Sequence, residues 1–179
     1  HPQPPRPRRD AEMPARQPPR ALVVTDQEAT GNAVLIRYPV QKVEEAGTIR
    51  AYRDDLVQSL FAAMLNQRLQ ELSQLPEPPF MGASSSLGKL TPRYRSYNAS
   101  AALGPRGAEV ALSALVEENE RARRYGFGAA ELERMKKNLM RTYEQAWNER
   151  AKSDSGTYAA EYIRNFLQQE AIPGIDTEY

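Results

Sequence analysis

A long amphipathic segment that ends in a proline cluster constrains the fold of this chain more than any other feature. Apolar side chains recur at i, i+4 in two adjacent rows over residues 53–72: Leu56, Leu60 and Met64, then Val57, Phe61, Leu65 and Leu69. This spacing predicts a helix that begins between residues 47 and 52 and lies with one face on a sheet. Prolines at 76, 78 and 79 end it, because proline lacks the amide donor that a helix needs.

Strand-like runs flank this helix on both sides. They are rich in β-branched, aromatic or small residues and cover 21–25 and 33–38 before the helix, and 80–88 and 93–103 after it. The turn between the last two contains Thr91 and Pro92. Strands joined in pairs predict antiparallel neighbours.

Three further helices are predicted in the second half of the chain. The first covers 108–125 and is stopped by Gly126, the second covers 129–150, and the third includes 159–167 and stops before Pro173. In the first of these, the residues predicted to point inward are Leu112, Leu115, Val116 and Ala122. The order ββαββααα predicts an α+β fold, with a mainly antiparallel sheet covered by helices on one face.

The two ends of the chain differ from this middle part. Residues 1–20 contain seven of the fourteen prolines, interleaved with five arginines, which predicts an extended interdomain linker. A nucleic-acid arm or a ligand for a proline-reading domain is the alternative interpretation. Residues 21–179 then form one α+β domain, and the stretch from 171 to 179 leads towards an element outside the sequence, so we expect the domain to be truncated at its C-terminal end.

Charge and hydropathy argue against nucleic-acid and membrane partners. The net charge of +1 provides no field to attract a polyanion, so no nucleic-acid partner is expected. The nearest basic and aromatic surface, formed by Arg93, Tyr94, Arg95 and Tyr97, is better explained by cross-strand pairing. No run approaches the roughly 18 to 20 consecutive apolar residues that span a bilayer, so no membrane partner is expected either.

The residue types needed for hydrolytic chemistry are nearly absent. The chain has no cysteine, and its one histidine is His1, so it lacks the imidazole or thiolate ligands of a zinc site. The serines at 84–86 have Lys89 as their one local base and no orienting group, which favours close strand packing over a nucleophile. We therefore expect no catalytic residue, no metal ligand and no cofactor in this segment.

Several runs nevertheless match a known family. They are MLNQRL at 64–69, PPFMGASS at 78–85 and YGFGAAELER at 125–134, with shorter similarities at 158–162 and 172–175. Together they resemble the pitrilysin/insulinase-type zinc metallopeptidases over residues 22–179. The resemblance implies the mitochondrial processing peptidase-type α+β domain, several copies of which enclose a substrate chamber in one polypeptide.

The resemblance also implies that this domain is inactive. In the family, a catalytic domain carries an inverted H-x-x-E-H zinc motif on its first long helix, and 53–72 takes the place of that helix without any histidine. The zinc is then expected in the catalytic domain of the parent protein. The implied partners are other domains of the same polypeptide and a peptide or protein substrate, and a periplasmic or exported location is slightly favoured.

Substrate-binding candidates follow from the same resemblance. In the family, an arginine near the end of the helix and a tyrosine on the next strand reach the substrate, and here Arg68 and Phe80 stand in those places. Phe80 has no phenol to stabilise an oxyanion, and Arg68 could instead be a helix-end cation favoured by the dipole. We also expect an extended peptide to bind along the strand edge at 80–87, so Gly82, Ser84 and Ser86 are further substrate-binding candidates.

The predicted function is therefore a non-catalytic domain of a zinc-dependent metalloendopeptidase that shapes the substrate chamber. The alternative is a structural or assembly module of a peptidase-like protein that has lost both zinc and activity.

Overall fold

The computed structural model describes residues 12–13, 18–43, 48–91, 93–168 and 171–178. Its strands are β1 (Ala33–Arg37), β2 (Gln41–Lys42), β3 (Gly82–Thr91) and β4 (Tyr94–Ala102). Its helices are α1 (Ile49–Ser73), α2 (Gly107–Tyr125), α3 (Ala129–Glu149), α4 (Ser155–Gln168) and α5 (Ile175–Glu178), with a 3₁₀ turn over Arg150–Lys152.

The sheet is antiparallel and is built around β4. β1 and β2 pair one after the other along one edge of β4, with Ala33 opposite Ala102 and Gln41 opposite Arg95. β3 pairs along the other edge, starting with Gly82 opposite Ala102, and its register shifts between Lys89 and Thr91. Within the described residues β3 has no second strand neighbour, so it forms an edge of the sheet.

Helix α1 starts and stops where the sequence predicts. Thr48 caps it by accepting a hydrogen bond from the Ala51 amide at 3.1 Å, and it ends at Ser73, before the prolines. In its second half, Leu65 and Leu69 are fully buried. Val57, in the same predicted row, is 56% exposed, so the apolar face joins the core only towards the C-terminal end of the helix.

The helices cover one face of the sheet. α1 and α2 pack on the strands and α3 packs against α1. The buried core between these layers contains Leu65, Leu69, Phe80, Ala99, Ala101, Ala111, Leu115 and Ala122. The small alanines on β4 allow the helices to approach the sheet closely. The predicted α+β architecture, with an antiparallel sheet and helices on one face, is confirmed.

Some predicted details are wrong. Residues 21–25 form no strand, and Leu22 and Val23 are 86% and 85% exposed, because β1 and β2 already occupy that edge of β4. The second strand of the chain is instead the short β2, which carries no strand pattern of its own. Leu112 and Val116 of α2 are 40% and 42% exposed, since the core takes Ala111, Leu115 and Ala122 from that helix.

Other predictions fall on residues outside the described ranges. Most of the predicted linker lies there, as does Pro92 of the predicted turn. Of the linker residues that are described, Met13 donates its amide to the Tyr94 hydroxyl at 3.1 Å, so the chain touches the sheet at this point.

Candidate functional site

The five predicted substrate-binding residues occupy three different places in the fold. Phe80 is fully buried in the core. Gly82, Ser84 and Ser86 lie on β3 facing away from the helices, as shown by Ser85, which is buried and bonded to α1. Arg68 lies on the helical side, near the end of α1. The structure brings the three β3 residues together and separates them from Arg68 and Phe80. Their substrate-binding role stays a prediction.

Arg68 is the centre of an ion-pair cluster that joins three helices. Its Nε is 2.7 Å from Glu131 Oε1 and its Nη2 is 2.8 Å from Glu131 Oε2, on α3. Its Nη1 is 3.2 Å from Glu118 Oε1, on α2, and Nη2 also donates to the Gly126 carbonyl at 3.2 Å. These four bonds use four of the five guanidinium N–H groups, which leaves Arg68 little capacity to bind anything else.

The side chains around Arg68 hold its guanidinium in place within the ion-pair cluster. The side chain is 13% exposed, and its guanidinium carbon lies 4.5 Å from the centre of the Phe127 ring, within the range of a cation–π contact. Phe127 in turn packs edge-on against Phe61, with ring centres 5.5 Å apart. The cluster is therefore fixed by packing as well as by charge.

Glu131 has two roles at the start of α3. Its Oε2 accepts a hydrogen bond from the Gly128 amide at 2.6 Å, the reciprocal half of a capping box, while both oxygens bind Arg68. Hydrogen bonds from Arg68 first, and from Gly128 second, lower the pKa of Glu131 from 4.5 to about 2. The hydrogen bond to Glu131 is also the main reason that the pKa of Arg68 is raised.

Glu118 completes the cluster from α2. It is 5% exposed, and its second oxygen lies 3.4 Å from Arg121 Nη1, so both of its oxygens are paired. A buried carboxylate needs such partners, because an unpaired buried charge is strongly destabilising. Glu118 is therefore part of how α1, α2 and α3 are held in register.

The outer face of the sheet carries small polar side chains. The hydroxyl groups of Ser84 and Ser100 are 3.2 Å apart across the β3–β4 pair, and Ser86 lies opposite Asn98. The side-chain oxygen of Asn98 accepts a hydrogen bond from Arg37 Nε at 3.3 Å. These contacts satisfy cross-strand neighbours, and the same face also carries Leu35, which lies opposite Ser100 and is 57% exposed.

Two main-chain groups of β3 are bound by a side chain of α1. The carboxamide oxygen of Asn66 accepts from the Ser85 amide at 2.7 Å, and its nitrogen donates to the Ser85 carbonyl at 3.0 Å. This pair of bonds fixes α1 to β3. Apolar periodicity could not have revealed it, because Asn66 is polar and its partner is main chain.

A zinc site does not fit the donor set of the described residues. Within those ranges no group of three or more His, Cys, Asp or Glu side chains is close enough together to hold a metal ion. The two carboxylates that α2 and α3 place beside α1, Glu118 and Glu131, are both engaged by Arg68. None of the helices in the described part of the chain is long and apolar enough to cross a membrane.

Comparison with known proteins identifies relatives of this fold and sequence. No protein-family model matches the chain. A "Zinc protease PQQL-like" protein of Arabidopsis thaliana is 31% identical over 166 residues, which cover 93% of this chain and 14% of that protein. The chain is homologous to a segment of a pitrilysin/insulinase-type protein. The resemblance predicted from the sequence is thereby confirmed.

Solved structures agree with this pitrilysin-type fold. The periplasmic protease PqqL from Escherichia coli matches with a TM-score of 0.77 and 21% identity, over 86% of this chain and 17% of that chain. The first half of the same protease matches with a TM-score of 0.75 and 21% identity, over 84% of this chain and 32% of that chain. This chain thus spans a minor part of each relative, and it has a peptidase-like domain fold.

Sequence reasoning missed three residues that organise the site. Glu131 carries a sequence signal, because a glutamate three residues after Gly128 fits the return position of a capping box. Glu118 and Asn66 carry no such signal. Their partners are 50 and 19 residues away along the chain, and tertiary packing brings them together.

Proposed function

We propose that this chain is a non-catalytic domain of a zinc-dependent metalloendopeptidase, and that it helps to enclose the substrate chamber of the parent protein. The homology to a zinc protease and the peptidase-like fold support the general class. The non-catalytic role in the chamber rests on one observation, which concerns the residues of α1. The helix that takes the place of the zinc helix has no histidine, and its Arg68 binds Glu118 and Glu131 instead of remaining available to a substrate.

The ion-pair cluster at Arg68 suits a domain whose role is to give the substrate chamber its shape. It joins α1, α2 and the start of α3 at one point, beneath a sheet whose strand β3 carries Gly82, Ser84 and Ser86 on its other face. A rigid helical layer with an open sheet face is what a chamber wall requires, because the wall must keep its form while other domains pack against it. Zinc, held in a catalytic domain of the parent, would activate the water that attacks the peptide bond.

The proposal also covers partners and location. The first partners are other domains of the same polypeptide, which the small share of each relative that this chain spans supports. The second is a peptide or protein substrate, which is proposed because both relatives are named as proteases. An exported or periplasmic location is supported by the periplasmic location of the Escherichia coli protease. Immunodetection of the parent protein in osmotic-shock and cytoplasmic fractions tests it, and recovery in the cytoplasmic fraction alone would contradict it.

The first experiment uses the purified 179-residue chain. After dialysis against a chelator and then zinc, we expect far less than one zinc per chain by mass spectrometry of the metal. We expect no release of fluorescence from dye-labelled casein. A metal content near one per chain together with casein hydrolysis would contradict the assignment.

The second experiment uses the parent protein and separates the proposal from its alternative. A chamber domain predicts zinc in the parent and casein hydrolysis that is lost when residues 21–179 are deleted, while the zinc of the catalytic domain remains. The alternative, a structural module of a parent without activity, predicts neither zinc nor hydrolysis in the intact protein.

A further inference from the structure

Helix α4 has little packing against the rest of the domain. Among the described residues, α3 packs on α1 and on α5, whereas α4 has no extensive contact with another helix or strand. The buried core contains no residue of α4. Of the side chains of 155–167, only that of Glu161 is partly buried. The large apolar ones are 44–71% exposed: Tyr158, Tyr162, Ile163, Phe166 and Leu167.

A helix of this length needs support from outside itself. α4 contains 14 residues, and isolated helices shorter than about 12 to 15 residues are marginal in water. Its start is supported locally, because Asp154 Oδ1 accepts a hydrogen bond from the Gly156 amide at 2.8 Å. The Tyr158 hydroxyl also donates to the Arg150 carbonyl at 3.1 Å. Both bonds join α4 to the turn that precedes it, so they do not attach it to the core.

Three side chains hold the far end of this segment against α3. The indole N–H of Trp147 donates to Asp176 Oδ1 at 3.1 Å, which links the end of α3 to α5. Arg150 Nε lies 3.5 Å from the same oxygen. The Arg150 guanidinium carbon also lies 4.0 Å from the centre of the Trp147 ring, within the range of a cation–π contact. We call Trp147, Arg150 and Asp176 the latch.

The latch lies at the surface and can open without disturbing the core. The side chains of Arg150 and Asp176 are 41% and 78% exposed, and solvent screens an ion pair between such groups. The chain reaches Asp176 through Gly174, whose φ of 79° favours glycine. No residue of α5 belongs to the buried core, so α5 is held beside α3 by the turn and the latch.

We propose that α4 and α5 form an arm that opens from the body of the domain, and that the latch holds this arm closed. The hinge is the connection at Ser153 and Asp154, between the 3₁₀ turn and α4. Opening breaks the latch and moves the apolar face of α4. The body, which consists of the sheet and α1–α3, stays folded because its core and the Arg68 cluster do not include the arm. The chamber role of the domain does not depend on this motion.

The fluorescence of Trp147 reports on the latch, because it is the single tryptophan of the chain. Urea titration of the 179-residue chain, followed by Trp147 emission and by far-UV circular dichroism, tests the proposal. We expect the emission to change at a lower urea concentration than the cooperative loss of helix in the body. Amide hydrogen exchange measured by NMR should be at least about tenfold faster at Tyr162 and Ile163 than at Leu65 and Leu115.

The variant Asp176→Ala opens the latch, because it removes the acceptor of Trp147 and the partner of Arg150. We expect the early change in Trp147 emission to disappear, since the arm is already open without urea. Exchange at Tyr162 should become faster by about threefold or more, while exchange at Leu65 and the main urea midpoint stay unchanged.

Two further variants separate the latch from a general loss of charge. Asp176→Asn keeps an acceptor for the indole N–H and loses the charge that pairs with Arg150, so its effect should be smaller than that of Asp176→Ala. Glu133→Ala is the matched control, since it removes an exposed carboxylate of α3 that pairs with Lys136 and lies outside the latch. We expect it to leave exchange at Tyr162 unchanged.

Three outcomes would contradict the proposal. Coincident urea transitions of emission and circular dichroism in the wild type, with exchange at Tyr162 as slow as at Leu65, would make α4 part of the main folded unit. Unchanged exchange in Asp176→Ala would overturn the role of the latch. A lower main midpoint in that variant would overturn the independence of the arm from the body. The deletion in the parent protein tests the chamber role separately.

Discussion

Arg68 and Glu131 form a two-point ion pair across 63 residues of sequence, with Nε 2.7 Å from Oε1 and Nη2 2.8 Å from Oε2. The planar guanidinium matches the two carboxylate oxygens, a geometry that a lysine cannot reproduce. With Glu118 as the third member, the pair holds the ends of α1 and α2 against the start of α3.

Removing the guanidinium should destabilise the domain strongly. We expect Arg68→Ala to lower the free energy of unfolding by about 3 kcal/mol, because Glu118 remains buried without its main partner. Arg68→Lys should recover part of the loss, since it restores a charge without the two-point geometry. Urea unfolding measures both. Arg123→Ala, which breaks the exposed pair with Glu120, is the control and should leave the urea midpoint nearly unchanged, because solvent screens a surface pair. An equally small effect at Arg68 would contradict the structural role of the cluster.

Acid should weaken the same cluster in a defined pH range. The pKa of Glu131 in the folded state, about 2, lies below its ordinary value of 4.5. Its contribution is therefore fully present above pH 4.5 and is lost as the pH falls towards 2. The lowered pKa of Glu131 stabilises the folded state at neutral pH, but solvent screens part of this effect because the side chain is 25% exposed. We therefore expect Glu131 to contribute on the order of 2 kcal/mol to the free energy of unfolding.

Thermal unfolding between pH 6 and pH 2 is the measurement. Glu131→Gln should be less stable than the wild type at pH 6 and should lose less stability on acidification. Glu133→Gln, on the same helix in an exposed pair with Lys136, is the control and should keep the acid slope of the wild type. Parallel pH profiles for the wild type and Glu131→Gln would refute this prediction.

The turn between α2 and α3 should require glycine at position 126. Gly126 has φ 65° and ψ −147°, a region that is essentially restricted to glycine. We expect Gly126→Ala to lower the free energy of unfolding by about 1 to 3 kcal/mol through backbone strain alone, since an added Cβ meets nothing within 4 Å. Gly31→Ala is the matched control, because Gly31 also has open space and no positive φ. Equal denaturation midpoints for the two variants would show that the turn is not strained.

Restoring the family's tyrosine at position 80 should harm the fold. Phe80 is fully buried, so the hydroxyl group of Phe80→Tyr would enter the apolar core. We expect a loss of about 1 to 3 kcal/mol in unfolding free energy, the cost of burying an unpaired hydroxyl. Phe61→Tyr is the control, since Phe61 is 38% exposed and its new hydroxyl can reach water. A Phe80→Tyr variant as stable as the wild type would mean that position 80 can open to solvent.

Much of the fold could be predicted because its signals are local. The apolar rows of α1, the prolines after it and Gly126 fix helix boundaries within a few residues, and paired strand runs favour antiparallel neighbours. The prediction for 21–25 was wrong because a high strand propensity does not by itself provide a strand to pair with. The edge of β4 is already occupied by β1 and β2. The strand β2, which the sequence did not predict, is the opposite case. Its two residues have no strand pattern, and they pair because the chain passes beside β4 there.

The sequence by itself determined that this chain is α+β, that it lacks the imidazole and thiolate groups of a zinc site, and that it resembles a peptidase domain. Those conclusions depend on periodicity, residue types and short motifs, which are written along the chain. The tertiary structure alone decided that Arg68 binds Glu118 and Glu131, and that Asn66 holds Ser85. These contacts join residues 19 to 63 positions apart, and their partners are selected by how helices pack on a sheet, which no local pattern encodes.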